Sequence, residues 1–356
     1  MTLLAELTQF TCPTASPRSE RVQLGHGSGG TMSADLFERV FLPAFANPTL
    51  EALEDQASLD VPGLEGGSRL AFTTDSFVVR PIFFPGGDIG RLAVNGTIND
   101  LAVGGARPLY LSAAFILEEG LAIDDLGRVA RSMREACDQA GVTIVTGDTK
   151  VVDRGKGDQI FITTSGVGLI PAGRSLSIAS ARPGDRILVS GTVGDHGVAI
   201  LSVREGIEFE TVLGSDTAAL HGLAEAILQA CPKTRCLRDP TRGGLASTVN
   251  ELASASRVGV RLVDDAIPIR PEVRAACELF GLDPASMANE GKLVAVVPAE
   301  NAERVLQTMR NHPLGRSSAL IGEVVAEHSG LVTLASRVGG HRLLPMLSGE
   351  HLPRIC

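Results

Sequence analysis

Between residues 69 and 170 the chain alternates strand-like and helix-like segments so regularly that few architectures can hold it. Residues 69–79 (RLAFTTDSFVV) and 109–117 (LYLSAAFIL) are rich in branched and aromatic side chains and read as strands. Between them, 89–103 places Leu92, Ala93, Ile98, Leu101 and Ala102 at helical spacing and stops at Gly104-Gly105. Asp124 is expected to cap a second helix whose apolar face carries Leu126, Val129, Ala130, Met133 and Cys137, with Gly141 closing it. Segments 142–145 and 159–170 follow as strands. The order strand-helix-strand-helix-strand-strand predicts a mixed sheet with helices on one face.

A turn-rich stretch, 171–185, separates a second block that opens with a strand at 186–190. Helices are expected near 195–204, 217–230, 244–256, 271–280 and 299–311, and strands near 258–263, 292–297, 319–325 and 330–335. A chain of 356 residues is too long for one ordinary core, so two domains are expected, 23–170 and 171–335. The Pro/Ser/Thr-rich residues 1–22 read as a loose arm, and 336–356 as a mobile tail. Fully extended, the last ten residues would reach roughly 33 Å.

Composition narrows the function. With 32 basic and 41 acidic residues, a net charge of −9 and no basic run, nucleic acid and anionic membranes are poor partners. Twelve Phe, one Tyr and no Trp argue against stacking platforms for bases or sugars. An acidic protein that handles phosphates needs a metal ion to offset its own repulsion. The N-terminus lacks a cationic, apolar leader, and no run approaches 18 uninterrupted apolar residues. The six cysteines form no Cys-x-x-Cys pair and no zinc spacing, and Cys137 and Cys277 read as small core residues. A reducing cytosol is the expected compartment.

Several constellations carry chemistry. His26–Thr31 (HGSGGT) is a glycine-rich loop ahead of a helical run, where backbone N–H groups can turn toward an anion. It is neither a Walker A loop nor a dinucleotide fingerprint, and a flexible hinge is the alternative. Asp55, Asp75, Asp100 and Asp148 fall at expected strand ends or loop mouths, the hard oxygen ligands that magnesium prefers. Asp75 stands out because a carboxylate in an apolar strand is costly unless it binds metal or accepts hydrogen bonds. Lys150 shares a strand face with Asp148 and could neutralise a phosphate, or be a solvated lysine. Arg242-Gly243-Gly244 precedes a helix and forms a second potential anion nest. Glu290, in Asn-Glu-Gly at a strand mouth, suits a general base, or caps a turn. His196 is read as structural.

The C-terminus, PRIC, ends on Cys356. A cysteine there rides on a tether that is free on its far side, and its thiolate is a soft nucleophile to which a group can be attached and handed on.

Taken together, HGSGG, TTDSF, GTINDLAVGGARP, TGDTKVV, LRDPTRGG, ANEGKL and PRIC resemble the HypE family of hydrogenase maturation proteins, over residues 22–356. The earlier motifs resemble more loosely a wider ATP-binding superfamily that includes aminoimidazole ribonucleotide synthetase, selenophosphate synthetase and thiamine monophosphate kinase. The resemblance implies a two-domain α+β and α/β fold whose N-terminal sheet pairs with that of a twin subunit in a homodimer. It implies that a HypF-like carbamoyltransferase loads a carboxamide onto Cys356. ATP with Mg2+ then drives dehydration to a thiocyanate, and a HypC–HypD-like scaffold receives the cyanide. Catalytic roles fall by resemblance to Cys356, Glu290, Asp75 and Lys150, and metal ligation to Asp55, Asp75, Asp100 and Asp148. Nucleotide contacts fall to Gly27, Gly29, Gly30, Asn99, Thr149, Asp239, Arg242, Gly243 and Gly244. Arg354, beside the sulfur, would favour a carboxylate-lined channel. Two rival readings are a selenophosphate synthetase-like enzyme using Cys12 and a non-catalytic scaffold that presents Cys356.

Overall fold

The computed structural model describes residues 20–207, 213–336, 339–347, 349 and 355–356. The N-terminal arm up to residue 19, with Cys12, and Arg354 lie outside the described residues. Among those described, no helix is long and apolar enough to cross a membrane.

The first sheet is built from β1 (Ala57–Leu59), β2 (Arg69–Phe77), β3 (Arg107–Glu118), β4 (Thr143–Val152) and β5 (Ile160–Ile170), in the spatial order β1-β2-β5-β3-β4. Only β3 and β4 run parallel, joined by a helical crossover, so the sheet is mixed as expected. Helices α1 (Ile89–Val103) and α2 (Ile123–Ala140) cover one face. β5 alternates buried and half-buried residues along its whole length, the period-two signature of a strand facing a helical layer. The opposite face leaves Phe72, Tyr110 and Ile116 exposed, and β4 is an open edge.

α1 occupies the expected residues because Asp88 caps it: its carboxylate accepts from the N–H groups of Gly90 (2.8 Å) and Arg91 (3.1 Å). α2 corrects one detail. It begins at Ile123 after an Ala122 cap that makes no side-chain hydrogen bond, and Asp124 and Asp125 lie in its first turn, where they favour the helix dipole. Gly141 closes α2 in the left-handed conformation, as expected. β4 is longer than its apolar stretch, because pairing with β3 carries the ladder on through Gly147, Asp148, Thr149 and Lys150.

The second sheet comprises β6 (Arg186–Val189), β7 (Cys236–Arg238), β8 (Gly259–Val263), β9 (Val294–Val297), β10 (Ala319–Val325), β11 (Val332–Ala335) and β12 (His341–Leu343), ordered β12-β11-β8-β10-β6-β9-β7. Helices α3 (Asp195–Glu205), α4 (His221–Ala230), α5 (Gly244–Ser256), α6 (Pro271–Phe280) and α7 (Ala302–Asn311) surround it. One core lies between the sheet and α5, another between the sheet, α4 and α7.

The segment expected to be a mobile tail is docked where it is described. β12 pairs with β11, Leu344 and Leu347 are buried, and Ile355 joins the core of the first domain at 8% exposure. The apolar side chains at 344, 347 and 355 supply the reason, since each removes hydrocarbon from water.

Candidate active site

The two domains meet at a cleft floored by carboxylates. Asp75 projects from β2, and Asp100 from the last turn of α1 lies beside it. From the second domain, Asp239 and Arg242 arrive on the loop after β7, and Glu290 on the segment before β9. Asp55 and Cys356 complete the lining. Residues remote in sequence are thus gathered by a strand end, a helix end and two loops that converge at the joint.

These carboxyls repel one another in a site shielded from water. Burial, then the charges of Asp75, Asp239 and Asp55, push Asp100 well above the usual carboxylate range. Its partner is the Thr73 hydroxyl, which donates at 2.8 Å. Asp239 is pushed up to about 6, chiefly by burial and against the pull of Arg238. Asp75 is raised by burial and held down by Arg242, 4.0 Å away. Asp55 is raised by burial although Arg238 lies at 2.9 Å. Among the described residues, no three His, Cys, Asp or Glu side chains are placed to cage a metal unaided. A group of mutually repelling oxygens with few cations nonetheless fits magnesium, which keeps several waters and shares its shell with phosphate oxygens.

Glu290 is the most deeply held of the set, 3% exposed, with one carboxyl oxygen lacking any partner. Burial and then Asp216 drive its acidity down, so its pKa stands well above the ordinary value. Its backbone is fixed from two sides: its N–H donates to Asp216 (3.0 Å), which also pairs with Lys292 (3.0 Å). Its carbonyl accepts from the Asn99 amide at 3.4 Å. Asn99 also donates to Ala218 O (3.0 Å) and accepts from Leu220 N–H (2.8 Å). Both its N–H bonds are engaged, so in this state Asn99 is a strut beneath Glu290 where a nucleotide contact was expected.

Cys356 enters the cleft beside Glu290 and Arg242, whose charges act on its sulfur. Burial and the neighbouring carboxyls push its thiol pKa far up, so the docked sulfur is a neutral thiol. The glycine loop receives the tail. Thr31 N–H donates to Leu347 O (2.9 Å), Ser28 Oγ to Gly349 O (2.9 Å), and Gly29 N–H is taken by Ser33 Oγ (2.9 Å). Gly30 abuts Leu347, and a Cβ there would collide with its carbonyl. Gly27, Ser28 and Leu24 line the chamber on the outer side of Cys356. Gly243 caps α5 at φ +74°, a left-handed turn that favours glycine, and Gly244 starts the helix, so this N-terminus faces the cleft beside Arg242.

Asp148, Thr149 and Lys150 are not brought to this cleft within one chain. They lie on the exposed edge strand β4, where Asp148 and Lys150 stand 3.6 Å apart with side chains 67% and 75% exposed. His196, read as structural from sequence, is in contact with the tail: its Nε2 lies 2.7 Å from Ile355 O. Nothing local in GTVGDHG signals this, because the partner is 159 residues away.

Comparison with known proteins identifies the fold and the family. The N-terminal domain of AIR synthase related protein matches residues 53–170, and its C-terminal domain matches residues 182–334. The chain is 57% identical over 339 residues to the carbamoyl dehydratase HypE of Azotobacter vinelandii, covering 95% of this chain and 98% of that one. A crystal structure of HypE in complex with ATP is 49% identical with a TM-score of 0.79, over 94% of this chain and all of the other. HypE in a crystal structure of a HypE–HypF complex is 46% identical with a TM-score of 0.82, over 88% and 99% of the two chains. The chain belongs to the HypE family, with the two-domain AIR synthase-like fold.

Proposed function

We propose that this protein is an ATP-dependent carbamoyl dehydratase that converts a carboxamide on its own Cys356 sulfur to a thiocyanate, the source of cyanide for hydrogenase maturation. The observation that carries the reading is the seating of the terminal cysteine against Glu290, above a buried cluster of carboxylates. Family membership and the relative solved with ATP support the nucleotide.

An amide cannot expel its oxygen as hydroxide. Transfer of the γ-phosphoryl of ATP to the carboxamide oxygen turns that oxygen into part of a phosphate leaving group. Loss of both N–H protons as the C–O bond breaks leaves S–C≡N, with ADP, phosphate and one net proton as the other products. Glu290 is the base we assign to the nitrogen: its burial raises its basicity, one of its carboxyl oxygens has no partner, and it lines the cleft with Cys356. Arg242 and the N-terminus of α5, with Gly243 and Gly244, are placed to receive phosphate oxygens. Asp55, Asp75, Asp100 and Asp239 would hold Mg2+, which when bound neutralises phosphoryl charge.

Loading of Cys356 requires the tail to leave the cleft, where the thiol is held neutral, and reach a carbamoyltransferase of the HypF kind, as a HypE–HypF complex supports. A HypC–HypD-like iron scaffold would then receive the cyanide. We further assign a homodimer: the open β4 edge and the apolar face with Phe72, Tyr110 and Ile116 suit a second copy. Pairing there would let Asp148, Thr149 and Lys150 serve a cleft that their own chain does not reach. The domain limits 23–170 and 171–335 and the release of 336–356 belong to the same reading.

Intact-mass measurement after incubation with the carbamoyltransferase, carbamoyl phosphate and ATP tests it. Cys356 should gain a carbamoyl and then lose one water only when Mg-ATP is present. Dehydration that proceeds without nucleotide, or a sulfur that never gains the group, sinks the proposal.

A further inference from the structure

His196 is a fully buried imidazole that the dehydration chemistry does not use. It sits in the first turn of α3, its ring edge-on to Phe84 with centroids 5.7 Å apart. Its Nε2 lies 2.7 Å from the carbonyl oxygen of Ile355, and its Nδ1 lies 2.8 Å from Ser215 Oγ.

The proton positions follow from chemistry. A peptide carbonyl only accepts, so Nε2 carries the hydrogen. Burial disfavours the charged ring, which leaves Nδ1 bare and accepting. Ser215 must therefore donate to it, and does so while its oxygen accepts from Thr217 N–H at 3.1 Å. One relay thus runs Thr217 N–H to Ser215, Ser215 O–H to His196, and His196 N–H to the tail. Across the joint, Val78 N–H, just past the end of β2, donates to the main-chain oxygen of Cys356 at 3.0 Å. The main-chain oxygens of Ile355 and Cys356 are thereby held from both domains, which fixes the direction in which the Cys356 side chain leaves the backbone.

We propose that His196, as the Nε2–H tautomer set by Ser215, is a positioning residue that latches the terminal peptide in the cleft and sets the balance between docked and released Cys356. The latch reads main chain, so it grips the tail whether or not the sulfur bears a carboxamide. Its consequence for turnover rests on the dehydratase reading, whereas its existence does not.

The test is peptide-resolved alkylation of Cys356 by iodoacetamide in the full-length protein, with no carbamoyl donor or ATP present. One lost neutral hydrogen bond should raise the exposed fraction about tenfold. His196→Phe, which keeps an aromatic ring near Phe84 but has no donor, should be alkylated about tenfold faster than wild type. His196→Gln, whose amide can reach the Nε2 position, should stay near the wild-type rate. Ser215→Ala frees the tautomer and should fall between them. In wild type, nitrogen-15 NMR should find the proton of His196 on Nε2, and removal of residues 355–356 should mix the two tautomers. A folded His196→Phe protein alkylated at the wild-type rate overturns the latch, as does a proton resident on Nδ1. If His196→Phe fails to fold, Ser215→Ala and the wild-type tautomer still decide. A working latch on a sulfur that is never carbamoylated would sink the dehydratase reading alone.

Discussion

Two regions of the molecule carry carboxylates and treat them oppositely. On β4, Asp148 sits 67% exposed beside a 75% exposed Lys150, in water that screens both charges. At the cleft, Glu290 is almost wholly buried and Asp100 half-buried, and burial outweighs any neighbouring charge in raising both. The contrast shows that residue type alone does not set a carboxylate's proton affinity in this chain. Removal from water does, because repulsion and proton affinity grow as the dielectric falls. The edge group acquires such surroundings only if a second copy covers it.

The largest expected effect is on the buried side. Glu290→Gln should lower single-turnover dehydration by about 10²–10⁴-fold while leaving Cys356 loading intact, read by intact mass. Next comes Lys292→Met, which strips the buried Asp216 of its cation and should cost about 3–5 kcal/mol in denaturant unfolding. Asp216→Ala should show a comparable loss, since Lys292 is only 12% exposed.

The raised carboxyls also fix a pH dependence. Asp239 has a folded pKa of about 6 against 3.8 when unperturbed. Between these values the folded state holds a proton that the unfolded state has lost, so this group's contribution to stability is present at low pH and disappears as pH rises. Asp239→Asn should remove on the order of 3 kcal/mol of that decline, seen as the difference between wild-type and variant unfolding curves at pH 4 and pH 7. Added Mg2+ should flatten the wild-type curve and leave the variant less affected.

The smallest effects belong to the edge. Asp148→Asn should change monomer stability by about 1 kcal/mol or less in thermal unfolding, as an exposed ion pair contributes little. Val151→Lys, at a 67% exposed position, should leave folding within about 0.5 kcal/mol yet shift the protein to monomer in sedimentation. If Val151→Lys leaves the oligomeric state unaltered, the β4 contrast is a permanent one and those aspartates are plain surface.

Much of this was legible in the chain because periodicity and caps are local. Helices 89–103, 244–256 and 271–280 and the strand 319–325 have the expected limits, and each is bounded by a cap, a proline or glycines within reach of the pattern. β7 and β12 were not legible, since three-residue strands carry too few alternations to register and exist through their neighbours. Asp75, Asp100, Glu290 and Cys356 were each visible as anomalies of composition or position, but their gathering was not. Asn99 shows the converse: its motif marked it, and only the fold revealed that its amide is consumed under Glu290.

By itself, then, the sequence determined the mixed sheet and its helical layer, both set by hydrogen bonding and apolar spacing over a few residues. Tertiary structure alone decided which carboxylates are buried, where the tail rests and what His196 holds. Those outcomes depend on contacts across as many as 159 residues, whose strength comes from excluded water that no local pattern encodes.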